Sequence, residues 1–149
     1  MACLGSAIQD PAVAVTKATT ALLAMTALDA VNLRINFVVP ASGRVLVVMQ
    51  GTLHGATTFP QILFGVLQGA TVIFRKRPML GGGNLAATTL MAVETSSVVG
   101  GLTPGAALAW DAAYGVETIV ALTGIKYGGP NGVVANDAFG AFSIEIWEA

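Results

Sequence analysis

The residue types able to carry chemistry are few in this chain, and they are scattered. There is one histidine, His54, and one cysteine, Cys3. His54 stands beside Gly55 where a strand is expected to end, so it reads as a surface loop residue. A metal site takes three or four converging ligands, and no short spacing around His54 supplies them. Cys3 has no histidine near it in sequence to activate the thiol, and no G-x-S-x-G elbow is present. Gly81, Gly82 and Gly83 lack the Lys-Ser/Thr that follows a phosphate-binding loop and read as a hinge. Two carboxylate pairs, Asp111 with Glu117 and Glu145 with Glu148, would act as acid and base in glycoside cleavage only if the fold set the right separation. Lone acids on strands are normally solvated, and that is the reading adopted. The expectation is therefore a protein that is not an enzyme, with no catalytic residue, no cofactor and no metal.

Residues suited to contact are easier to name. Arg75, Lys76 and Arg77 form the densest charge cluster, which reads either as a contact for an acidic partner surface or as a solvated loop after a strand. Trp110, Tyr114, Tyr127 and Trp147 would suit a sugar-stacking platform, but aromatics of an all-β chain more often fill the core or a subunit interface. Arg75, Lys76, Arg77, Trp110 and Trp147 are taken as the candidate interface.

Composition favours contact over catalysis. The 149 residues carry seven basic and eight acidic side chains, 10% charged, against roughly a quarter in an ordinary soluble domain. Mean hydropathy is +0.74. Such a chain must cover its apolar exterior with lipid or with protein. Residues 45–74 hold no charge and are long enough to cross a bilayer, but Gln50, His54, Pro60, Gln61 and Gln68 and four glycines break them into short pieces. An eight-stranded membrane barrel would use nearly the whole chain and leave little for loops. Net charge is -1 and the other basic residues are dispersed, so no stripe exists to follow a phosphate backbone. Neither membrane nor nucleic acid is expected as a partner. One cysteine excludes an internal disulfide framework. Residues 17–30 imitate a signal peptide but lack a basic leading region, and Asp10 lies upstream.

The elements that must position these residues follow a period of two. Leu33, Ile35, Phe37 and Val39 alternate with Asn32, Arg34 and Asn36, which predicts a half-buried strand over 31–39. After the turn residues 40–43, residues 44–53 form a second strand, rich in β-branched side chains and apolar on both faces. Residues 61–67 and 70–74 form a hairpin around Gln68-Gly69. Further strands are expected within 85–99, over 107–114 and 118–127, and over 139–147, where Phe142, Ile144 and Ile146 alternate with Ser143, Glu145 and Trp147. Helix is plausible only over 13–25. About eight strands separated by turns predict an all-β, jelly-roll-like β-sandwich with an extended N-terminal arm. The arm is placed at residues 1–30 and the sandwich domain at 31–149.

Four segments together resemble a known family: RINFVVPASGRVLVVMQG (34–51), ILFGVLQGATVI (62–73), GLTPG (101–105) and FSIEIWEA (142–149). The ordered set is similar to that of the small jelly-roll virion structural proteins of tailed bacteriophages, over roughly residue 22 to the end. The resemblance implies a domain that decorates capsids or sits on tails, often as a trimer. The expected function is thus that of a capsid decoration, or cement, protein located in the virion after assembly in the host cytoplasm. Its expected partners are other copies of itself, in a homotrimer, and the major capsid protein or another virion protein. The alternative is a tail fibre or tip module that binds a host receptor or carbohydrate through loops 55–60 and 128–136. The alanine-rich start, MACLGSAIQDPAVAV, has no counterpart in the family pattern.

Overall fold

The computed structural model describes residues 1–11, 15–18, 24–54, 62–76, 91–116, 124–128 and 140–149. Among these there are eleven strands and no helix: β1 (Cys3–Gln9), β2 (Val15–Ala18), β3 (Thr26–Ala27), β4 (Arg34–Val38), β5 (Val45–His54), β6 (Ile62–Gln68), β7 (Thr71–Lys76), β8 (Met91–Val99), β9 (Ala107–Val116), β10 (Gly124–Tyr127) and β11 (Phe142–Glu148). All pairings are antiparallel, in two sheets. In the first, β5 lies between β8 and β11, and β1 pairs the far side of β11. The C-terminal end of β5 also meets β10, which carries β2. In the second, β9 lies between β6 and β4, β7 pairs β6, and β3 follows β4 along the same edge of β9.

The strand orders β1-β11-β5-β8 and β4-β9-β6-β7 define the topology. Between β4 and β9 the chain changes sheet at every connection except the β6–β7 hairpin, which is the winding of a jelly roll. The inner faces come from the alternation seen in sequence. Leu33, Ile35, Phe37 and Val39 are at most 5% exposed and meet Val45, Val47 and Met49 of β5 and Phe142, Ile144 and Ile146 of β11 in one core. Phe37 meets Trp110 edge-on at 4.9 Å, and Phe64 meets Phe142 at 5.4 Å. Such contacts add about 0.5–1.5 kcal/mol each beyond area burial.

Two turns fix one end of the sandwich. Gly43 and Gly105 take left-handed backbone (φ 63° and 79°), a conformation that costs glycine nothing. Gly43 N–H donates to Pro40 O, Leu102 N–H to Gly43 O, and Gly105 N–H to Val39 O, at 2.9–3.1 Å. Turn 40–43 and corner 101–105, both part of the family resemblance, thus dock on each other.

Two expectations are corrected here. Residues 15–18, inside the segment where helix was plausible, form β2, because β10 offers a complete ladder partner to Val15-Thr-Lys-Ala18. The boundary near residue 30 does not separate an arm from the sandwich for Cys3–Gln9. These residues are the edge strand β1, six of them in register with β11, and Leu4 and Ala7 pack against the core. β3 likewise belongs to the second sheet.

Candidate functional site

The outer face of the β8–β5–β11–β1 sheet is built from cross-strand rows. Register places Cys3, Trp147, Leu46 and Val98 in one row, and Ser6, Glu145, Val48 and Ser96 in the next. Ile8, Ser143, Gln50 and Glu94 make the third. Neighbouring strands lie about 4.8 Å apart, so a row crosses roughly 14 Å of surface. The first row is apolar apart from the exposed Cys3 thiol, and it abuts the docked turns. Val98 is 51% exposed and Ile8 64%, while Trp147, Leu46 and Val48 are half-buried.

The polar groups on this face are tied to one another. Trp147 Nε1 donates to Glu145 Oε2 at 2.8 Å, which holds the indole along the sheet. Gln50 Nε2 donates to Glu94 Oε2 at 2.9 Å. Glu94 and Glu145 are the charged residues of the three rows, which are partly apolar and weakly acidic.

Two edge strands make contacts with the opposite sheet. A Cβ at Gly5 of β1 would stand 2.5 Å from Ile35 Cγ2 of β4, so the two edge strands touch. On the other side Lys76 Nζ donates to Ser96 O at 2.8 Å, which ties β7 to the open edge of β8. An edge carbonyl capped by lysine is a poor template for strand addition.

The sequence-derived candidates divide. Trp147 lies on the outer face, as a contact residue must. Trp110 does not: it is fully buried, its ring against Phe37 and its Nε1 donating to Gln68 Oε1 at 2.9 Å. It is corrected from interface to core, because residues of its parity on β9 face the opposite sheet. Arg75 and Lys76 are exposed at the end of β7, with Lys76 joining the two sheets. Arg77 lies outside the described residues. Tyr114 and Tyr127 are buried, so the four aromatics form no platform. Tyr127 is pushed up to about 12 by burial, aided by the charge of Asp29 and by Tyr114.

Of the carboxylate pairs, Glu145 with Glu148 does not converge. Glu145 and Glu148 are three residues apart on one strand and point to opposite faces. Asp111 is buried and accepts two bonds from Arg34, from Nε at 2.6 Å and from Nη2 at 2.9 Å. That bidentate bond and the carboxylate charge raise the Arg34 guanidinium above its ordinary value. Glu117 and loops 55–60 and 129–136 lie outside the described residues. His54 ends β5 opposite Gly124. Among the described residues no three His, Cys, Asp or Glu gather in a way that would hold a metal ion.

Sequence reasoning identified Trp147 but missed Leu46, Val48, Val98 and Ile8. Their parity within each strand was visible, but which strand stands beside which is not written in the local pattern.

Fold and surface together define a jelly-roll β-sandwich with a weakly charged, partly apolar outer face. No protein-family model, curated protein or solved structure matches the chain.

Proposed function

We propose that this chain is a structural subunit of a bacteriophage particle, a capsid decoration protein. On this reading it packs on copies of itself, as a trimer, and on the major capsid protein. The observation that carries the proposal is the apolar row Trp147, Leu46 and Val98 on an open sheet face, in a chain with only 10% charged residues. The four sequence segments similar to virion jelly-roll proteins support the same reading. A protein that remained alone in water would gain solubility from charges on that face. One destined for contact gains from their absence, since the fully buried part of an interface is depleted in charge.

Light scattering of the full-length chain at several concentrations, beside Val98→Asp, tests the self-contact. Val98 is 51% exposed, so an aspartate there is expected to change the unfolding free energy by no more than about 0.5 kcal/mol. The expected result is a trimer for the natural chain and a monomer for the variant, with the variant still unfolding in one cooperative transition. A natural chain that stays monomeric at all concentrations, or a variant that remains a trimer, would remove this face from self-association. Co-sedimentation with phage heads lacking the protein tests the shell contact, and a chain that stays in the supernatant argues against it.

A further inference from the structure

The second sheet has an outer face with a different construction. Gly65 of β6 and Gly115 of β9 lie on it, one residue out of step with the inward Phe64, Val66 and Tyr114. A Cβ built on Gly115 would fall 2.5 Å from the Ala24 carbonyl oxygen and 2.8 Å from Met25 Sδ. Its three nearest neighbours all belong to residues 24 and 25. A Cβ on Gly65 would come 2.9 Å from Met25 Cε and would also run into the Phe74 carbonyl oxygen. Neither glycine has left-handed backbone, so space and not conformation excludes a side chain. The two glycines form a notch, and Met25 fills it.

Leu63 and Ala113 are 4% and 0% exposed, although they stand on the outer face opposite Gly115 and Gly65. Among the described residues the ladder of this segment is short. β3 contributes two residues to the ladder, whereas β4 contributes five along the same edge of β9. Downstream it is firmly anchored. Leu28 is fully buried and its N–H donates to Ala112 O at 2.8 Å. Asp29 Oδ1 accepts from the N–H groups of Val31 and Asn32, both at 2.9 Å, and Asp29 Oδ2 from Asn32 Nδ2 at 2.8 Å.

We propose that residues 24–27 are a releasable strap, latched by Met25 in the Gly65–Gly115 notch and hinged at the Asp29 turn. The strap opens while both sheets remain folded, and its opening uncovers the apolar strip that holds Leu63 and Ala113. Among the described residues two ladder positions and one side-chain knob hold it, and a short ladder opens more readily than the long strands of the core. This inference stands apart from the virion reading, because its readout needs no shell and no oligomer.

The test is amide hydrogen exchange on the full-length chain and on Gly115→Ala and Met25→Ala. Gly115→Ala places a methyl group against the strap alone, and Met25→Ala empties the notch without a clash. The expected result is exchange at least roughly tenfold faster at Thr26 and Ala27 in Gly115→Ala. A smaller acceleration at the same amides is expected in Met25→Ala, with Leu28, β5 and β11 protected as in the natural chain. Natural protection at 26–27 in both variants would overturn the latch. Met25→Ala loosening β5 and β11 as much as 26–27 would overturn the independence of the strap.

Discussion

The two tryptophans show how parity decides a residue's task. Trp110 and Trp147 are both large aromatics on strands, yet one is fully buried and the other lies on an outer face held by Glu145. Burial also sets an alkaline limit on the fold. Tyr127 carries its proton up to about 12 in the folded chain, against about 10 when unfolded. Tyr114 is raised by burial as well. Between these values the unfolded chain has lost its phenolic proton while the folded chain keeps it, so stability is intact below pH 10 and falls as pH rises toward 12. Thermal unfolding across pH 9–12 is expected to show this decline, and Tyr127→Phe is expected to make it shallower. An equal slope in both proteins would assign the decline to other groups.

At the scale of elements, close approach between neighbouring strands is bought with glycine. Gly51 faces inward on β5, where a Cβ would lie 2.5 and 2.7 Å from ring atoms of Phe142 on β11. Phe142 in turn packs edge-on with Phe64 at 5.4 Å, so the ring has little room to retreat. Gly51→Ala is expected to destabilise the fold by about 1–3 kcal/mol, the usual cost of overpacking, read as a lower denaturant midpoint. An unchanged midpoint would mean that the Phe142 ring shifts freely. Alternation made β4 and β11 legible from sequence, since each has one face in the core, and a run of β-branched residues made β5 legible. β3 was not legible, because two residues are too short for a period and its place follows from Met25 seated in a notch on other strands.

For the whole molecule, the start of the chain is part of the fold. β1 pairs with β11 over Cys3–Gln9, Ala2 O accepts from Glu148 N–H at 2.8 Å, and Pro11 packs on Gly128, where backbone φ is 78°. Removing residues 1–11 would strip β11 of one neighbour and open the core beside Leu4 and Ala7. The truncated chain is expected to lose its cooperative transition or to unfold with a free energy lowered by about 2 kcal/mol or more, as large core deletions do. A natural unfolding curve for the truncated chain would restore the view of this segment as a detachable arm. The same ladder explains why Trp147 sits in a continuous surface, with β1 extending the face beyond β11 toward Ile8.

The sequence by itself determined the all-β class, the inward and outward faces of β4 and β11, the turns at 40–43 and 101–105, and the shortage of charge. Each of these is a local property, set by side-chain period, backbone freedom or composition. Tertiary structure decided which strands became neighbours, and so gathered Cys3, Trp147, Leu46 and Val98 from four distant segments into one row. It also sent Trp110 into the core and seated Met25 between Gly65 and Gly115. Long-range pairing is chosen by the packing of whole faces against each other, and no window of sequence contains both partners of such a contact.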